Sequence, residues 1–457
     1  MNLAKPYQLT KYPIGSIREI WTIGWPLMLG ILASSVMIFS DRLMLARYSI
    51  EAMTGAVTAG TAGYSFIVLP LIIAGITEVF VGQYHGHDSK KMIGKAVWQM
   101  LWFSIMTIPY FILVGSFGPG ILFKNTLFPR YATDFFSIFV SFGFVNCLSM
   151  ALMGFFAGRG KVRFVALVTI FANLLNIGLD YILIYGFAHI PSLGVKGASI
   201  ATVISQCAMV VIFGMRFLQR ENKKEYGTHL WKFNFPMFYR AVKIGFPASV
   251  AHTSEMFSSF MFFMLLNQTG DVYLMVCSLM QTVYLLFFFV IEGLSKGVIA
   301  ICSNLIGAKE YSLVIKNIFS SCKLHAIFFC LIFFLVLFFS PGIFSPFFNE
   351  KSTWFFENPV FVKALFKTSL WLCLVFLFDG FGWVLGGFLT AAGDTKYIMI
   401  VGIIAPWLLY YLPVYLGLNY FHISVDKVWF IAMCYTIGIV GIYGLRYRSK
   451  KWKKIRI

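Results

Sequence analysis

"FANLLNIGLDYILIYGF", residues 171–187, decides how this chain is read. Asn173, Asn176 and Asp180 interrupt an otherwise apolar run. Spacings of three and four residues put all three on one face of a helix. The run belongs to a stretch long and apolar enough to span a bilayer, which takes about 20 predominantly apolar residues. An ionised side chain in the middle of such a helix costs roughly 2.5–3.5 kcal/mol on insertion scales, so it faces protein or water and marks function by default. The bland alternative is a buried polar cluster that holds helices together.

The rest of the chain supports the membrane reading. Of 457 residues, 59% are hydrophobic and 12% are charged. A soluble domain carries about 25% charge, and so few polar residues cannot cover a globule of this size. Twelve spans are expected, near 18–41, 53–81, 93–116, 132–157, 163–187, 193–217, 239–267, 271–300, 314–339, 360–391, 396–417 and 427–447. The net charge of +19 does not point to nucleic acid, because no zinc-finger, RNA-recognition or helix-turn-helix pattern accompanies it. Most of the 37 basic residues fall at the termini, Lys5 included, and in the loops after even-numbered spans, so the positive-inside rule puts both termini in the cytoplasm. The eight cysteines form no CxxC pair and read as small buried hydrophobes. The polar N-terminus has no short apolar region of a cleaved signal peptide.

The chain repeats itself. "IGWP" at 23–26 recurs as "IGFP" at 244–247, and Gly86 and Gly307 keep the same spacing. "LMGFFAGRGKVRF" (152–164) resembles "LGGFLTAAGDTKY" (385–397), with a slip that fits a longer connection between the ninth and tenth spans. Six spans per repeat give both halves the same orientation, as parallel repeats about an axis along the membrane normal. The expected fold is an all-α polytopic membrane protein, with twelve transmembrane helices in two six-helix pseudo-twofold lobes around a central cleft. The lobes are expected at 1–215 and 239–457, joined by a basic linker at 216–238. Rocking one lobe on the other suits a carrier.

Six carboxylates fall within or at the ends of spans: Asp41, Glu78, Asp180, Glu255, Glu292 and Asp379. Asp180 lies roughly 25 Å along its helix, and Asn176 one turn below can hydrogen-bond it. Together they suit Na⁺ or a proton. Asp41 lies roughly 34 Å along the first span, where solvation beside Arg42 is the alternative. Pro26 breaks the backbone ladder of the first helix and Pro247 that of the seventh, so both are hinge candidates. Glu255 in the seventh span and Asp379 in the tenth can share one cavity. Glu78 and Glu292 approach cytoplasmic loops, where interfacial solvation or pairing with Lys91, Lys296 or a neighbour is expected. "HGHD" (85–88) offers too few ligands for a metal site. HExxH, GxxxxGK[ST] and GxSxG are absent from the sequence, which removes support for metalloprotease, ATP-driven and serine-hydrolase readings.

Taken together, the first helix from Pro26 to Asp41, "VGQYHG" (81–86), "FAGRGKVRF" (156–164), "NLLNIGLDYILIYGF…LGVKGASIATVISQ" (173–206) and "LGGFLTAAGDTKY" resemble the multidrug and toxic compound extrusion (MATE) family, in its bacterial NorM/DinF-like branches. The resemblance covers almost the whole chain. It implies a twelve-helix, two-lobe antiporter, not an enzyme, that expels organic, often cationic, compounds against inward Na⁺ or H⁺. It also implies an N-lobe cation site at Asp41, Asn176, Asp180 and Thr202, a C-lobe site at Glu255 and Asp379, and a kink at Pro26. The coupling ion is the only metal or cofactor expected. The expected setting is a monomer in the bilayer of a bacterial inner membrane, with a small organic substrate and no nucleic-acid partner. A lipid-linked oligosaccharide flippase of the same superfamily is the alternative, disfavoured because few basic residues lie inside the helices.

Overall fold

The computed structural model describes residues 8–124, 128–188, 190–269, 271–344 and 359–455. Lys5 and most of the connection between the ninth and tenth spans lie outside them. Within the described residues the backbone is helical, and its one extended pairing is an isolated bridge between Phe187 and Ile190.

The first span is α1 (Ile17–Tyr48). Its start is written locally: Ser16 accepts a hydrogen bond from the Glu19 N–H, and the Glu19 carboxylate reaches back to the Gly15 N–H. Those bonds satisfy backbone donors that a helix N-terminus leaves free. The second span comprises α2 (Ile50–Gly75) and α3 (Thr77–Gly86), broken at Ile76. The third comprises α4 (Lys90–Met106) and α5 (Ile108–Leu122). The fourth comprises α6 (Pro129–Ser141) and α7 (Gly143–Ala157), bent by 41°. The fifth is α8 (Val162–Tyr185) and the sixth α9 (Val195–Phe217). After the short α10 (Arg220–Tyr226) come α11 (Phe235–Thr269), α12 (Asp271–Gly307), α13 (Tyr311–Phe344) and α14 (Pro359–Ala391). The eleventh span runs through α15 (Thr395–Ala405), a π-helical turn opened at Pro406, and α16 (Leu412–Asn419). Pro406 has no N–H to continue the α-helical ladder, which suits a π segment. The last span is α17 (Val425–Arg448).

Among the described residues, ten helical stretches are long and apolar enough to cross a membrane, and the bent α6–α7 pair is an eleventh. The twelfth, α11, carries the polar run His252, Thr253, Ser254, Glu255, which lowers its hydropathy. The all-α, twelve-span architecture expected from the sequence is the one observed.

α1 packs along α8 and crosses to α12; α3 also packs on α12, and α2 on α11. These crossings close one end of the molecule, the end that carries Lys90, Lys161 and Lys309. There the two glycines singled out by the repeat face the opposite helix. A Cβ on Gly86 would stand 1.9 Å from the Asn304 carbonyl oxygen, and one on Gly307 would stand 2.1 Å from that of Gln83. Only glycine permits such an approach. Gln83 Nε2 donates to the Ala391 carbonyl and Asn304 Nδ2 to the Gly158 carbonyl, each at 2.7 Å. His85 Nδ1 lies 2.7 Å from Asn304 Oδ1.

The basic linker is not slack. Trp98 and Trp102 on α4 donate indole N–H bonds to the carbonyls of Thr228 and Trp231, at 2.7 and 2.9 Å. Gln99 bonds the Lys232 carbonyl and accepts from the Asn234 N–H. The Arg159 guanidinium sits 3.7 Å from the Phe155 ring centroid and 4.2 Å from that of Tyr226.

Candidate functional site: two carboxylate sets inside the helices

α8 delivers Asn176 and Asp180, both fully buried, against α1 and α9. Two bonds fix its register on α1. Asn173 Nδ2 donates to Ser34 Oγ at 3.1 Å, and the Tyr185 hydroxyl donates to the Met44 carbonyl at 2.8 Å. Half-buried Asp41 therefore comes level with Asp180, and their carboxyl groups lie within hydrogen-bonding reach of each other. With its amide nitrogen turned toward them, Asn176 donates to Asp41 Oδ1 at 3.1 Å and to Asp180 Oδ2 at 3.2 Å. Its oxygen then accepts from the Thr202 N–H at 3.2 Å. Asp180 Oδ1 is buried without a partner. Two ionised carboxylates cannot share such a place unaided; a proton or a cation must join them.

The four residues assigned to this site by resemblance thus meet, with one difference. The Thr202 hydroxyl donates to the Ala198 carbonyl of its own helix at 3.0 Å, so Thr202 reaches the cluster through its backbone N–H. Turning a threonine hydroxyl back onto the preceding turn is a common helical choice.

Glu255 on α11 and Asp379 on α14 both lie in the second half, within electrostatic range of each other. Asp379 accepts a hydrogen bond from the Tyr284 hydroxyl of α12. Glu255 Oε2 lies 3.9 Å from His252 Nδ1, with its side chain 46% exposed. Trp383 stands beside His252, its ring centroid 5.7 Å from that of His252 and 5.2 Å from that of Phe288. Pro26 and Pro247 both lie inside unbroken helices, α1 and α11.

Glu78 is a correction. Interfacial solvation was one expectation for it, yet it is buried. Cβ atoms on Gly154 and Gly158 of the fourth span's end would come within 2.8 and 2.6 Å of the Glu78 backbone. Those bare positions let α3 press inward and carry Glu78 with it. Glu292 behaves as expected, paired with Lys296 at 3.0 Å. Tyr284 as the partner of Asp379 escaped the sequence reading, since nothing local links positions on different spans. Lys296 left a signal: a lysine inside an apolar run, four residues after a glutamate. Among the described residues no group of three or more His, Cys, Asp or Glu side chains could hold a metal ion.

Comparison with known proteins agrees with this architecture. "Uncharacterized transporter YisQ" of Bacillus subtilis is 23% identical over 97% of this chain and 96% of its own. "Probable multidrug resistance protein NorM" of Bradyrhizobium diazoefficiens is 23% identical over 93% of this chain and 88% of its own. A solved multidrug resistance MATE family transporter of the MOP superfamily, described in an outward-facing conformation, shares the fold at a TM-score of 0.85 and 16% identity, covering 100% of this chain and 99% of its own. The MatE family model matches twice, over residues 26–182 and 247–416, starting each time at the proline that the repeat makes equivalent. With both halves of the chain matched by one model, the protein belongs to the MatE family of membrane transporters.

Proposed function

We propose that the protein is a secondary antiporter that exports small organic, often cationic, compounds in exchange for Na⁺ or H⁺. The observation that carries this is the meeting of Asp41 and Asp180 across α1 and α8, bridged by Asn176. Such a pair takes up one positive charge as its lobe closes and gives it up as the lobe opens. Differential affinity for the two states supplies the coupling. Thr202 positions the bridging amide, and Glu255 with Asp379 forms a second cation or proton site. Pro26 and Pro247 are the hinges. The crossed bonds at the basic end support a state closed toward the cytoplasm, as one of the two states that alternating access requires must be.

In this reading the lobes are 1–215 and 239–457 with the linker at 216–238. The protein works as a monomer in a bacterial inner membrane, with both termini cytoplasmic and no bound cofactor other than the coupling ion. The name of the Bradyrhizobium relative, a probable multidrug resistance protein, supports the substrate class. The test is ethidium or norfloxacin efflux from purified protein in liposomes, with Na⁺ and pH gradients imposed separately. Efflux driven by one gradient and lost in Asp180→Asn is expected. Coupled efflux that survives Asp180→Asn overturns the site assignment.

A further inference from the structure

Glu78 belongs to neither carboxylate set. It is only 9% exposed, and its Oε1 has no hydrogen-bond partner. With Ser34, Asn146, Gln206 and Lys296 it lines a cavity of about 190 Å³. The walls come from spans of the first half, except for Lys296, which enters from α12 of the second. The Lys296 ammonium lies 3.0 Å from Glu292 Oε1, and its charge also interacts with Glu78 and with Tyr64. The charge of Glu292 also acts on His252 of α11. Two carboxyl groups, Glu78 and Glu292, have this one ammonium between them. A buried carboxyl oxygen without a donor is a costly arrangement, relieved by a donor that enters the cavity.

We propose that Glu78 is a docking carboxylate for the positive group of an organic cation, and that Lys296 is a tethered competitor for it. The lysine's flexible four-carbon stem lets one ammonium serve either Glu292 or Glu78. With no cation in the cavity, Lys296 exchanges between Glu292, the pairing seen here, and Glu78. A cation docked on Glu78 confines it to Glu292. Glu78 sits on α3 and Lys296 on α12, which pack together across the two halves. The lysine's choice of partner therefore tells one half whether the other is loaded. The ligand class rests on the export reading above; the roles of the two residues do not depend on ion coupling.

The test is ethidium binding to purified protein in detergent, with no gradient, followed by fluorescence polarisation. Lys296→Gln should bind on the order of tenfold tighter than wild type, because the internal competitor is gone. Lys296→Arg should restore wild-type binding, and Glu78→Gln should weaken it. In the Glu78→Gln background, Lys296→Gln should bring no gain, and an uncharged dye should bind all forms alike. Unchanged or weaker binding by Lys296→Gln, or a gain that survives Glu78→Gln, overturns the inference while leaving the export reading intact. Wild-type protein that binds no ethidium overturns the ligand class, and both readings with it. If Glu78→Gln fails to fold, the Lys296→Gln and Lys296→Arg pair decides alone.

Discussion

Gln83 and Asn304 make the same bond in opposite directions across the closed end of the molecule. Each is a side-chain amide on a helix of one half, donating at 2.7 Å to a carbonyl at the end of a helix in the other, Ala391 and Gly158. Their spacing in the chain matches that of Pro26 and Pro247 and of Gly86 and Gly307, so the internal repeat is visible as a pair of crossed hydrogen bonds. Removing both amides by Gln83→Ala with Asn304→Ala should cost the closed state about 1 kcal/mol per bond. A Ser303→Cys reporter, placed where a Gly82 Cβ would sit 1.9 Å from the Ser303 hydroxyl, should then label faster with a maleimide once the native cysteines are replaced. Labelling at the parent rate would show that the bonds do not hold this end shut.

Gly86 and Gly178 should answer oppositely to alanine. At Gly86 the new methyl meets the Asn304 backbone, and overpacking of this kind costs about 1–3 kcal/mol. At Gly178, inside α8, nothing lies within 4 Å, and alanine should gain about 0.5–1 kcal/mol. Thermal unfolding in detergent compares them directly, and equal shifts would contradict the close approach described for α3 and α12.

Asn176 should matter to stability in a way that Asp180 does not. Asn176→Leu strips the bridge from two carboxyl groups and orphans the Thr202 N–H interaction, a loss of about 1–3 kcal/mol. Asp180→Asn keeps a polar partner for the bridge and removes a buried charge, so it should melt at or above the wild-type temperature while losing coupled transport. Melting well below wild type for Asp180→Asn would mean that the pair is chiefly structural.

Tyr284→Phe withdraws the hydroxyl that Asp379 accepts from. The expected cost is about 1.5–3 kcal/mol of interaction with that carboxylate. It should appear as lost transport without loss of folded protein, because the ring remains beside Phe288. Transport at the wild-type rate would remove Asp379 from the working site.

The linker gives a pH signature outside the membrane. Partial burial, the largest single effect on Glu225, pushes its carboxyl up, yet bonds to Lys90 and Tyr226 together outweigh it and hold the group below its usual 4.5. A carboxyl lowered in the folded state contributes stability that is present above its unfolded value and lost as pH falls through the folded one. Proteolysis between α10 and α11 should therefore quicken below about pH 4.5, and Glu225→Gln should flatten that dependence. An unchanged profile in the variant would show that the pair does not anchor the linker.

Much of this molecule was legible in one dimension. Apolar runs and basic loops announce the spans, because bilayer thickness and backbone satisfaction leave few alternatives. The polar face of α8 was visible from its spacing alone, and the repeat from two prolines. What escaped depends on contacts between distant positions. Glu78, expected either at the interface or beside a lysine such as Lys296, is buried where glycines at 154 and 158 let α3 press inward. Tyr284 is one of 22 tyrosines and gains its role only when α12 meets α14. The Thr202 hydroxyl turned back on its own helix, a choice between equally local acceptors that composition cannot reveal.

The docking of the linker on α4 changes where the chain is best divided. Its indole, amide and guanidinium contacts continue as far as Asn234, one residue before α11 begins. The segment is gripped by side chains of the first half. A gene split for co-expression as two fragments should be cut just before Phe235, which keeps the docked linker with the helices that hold it.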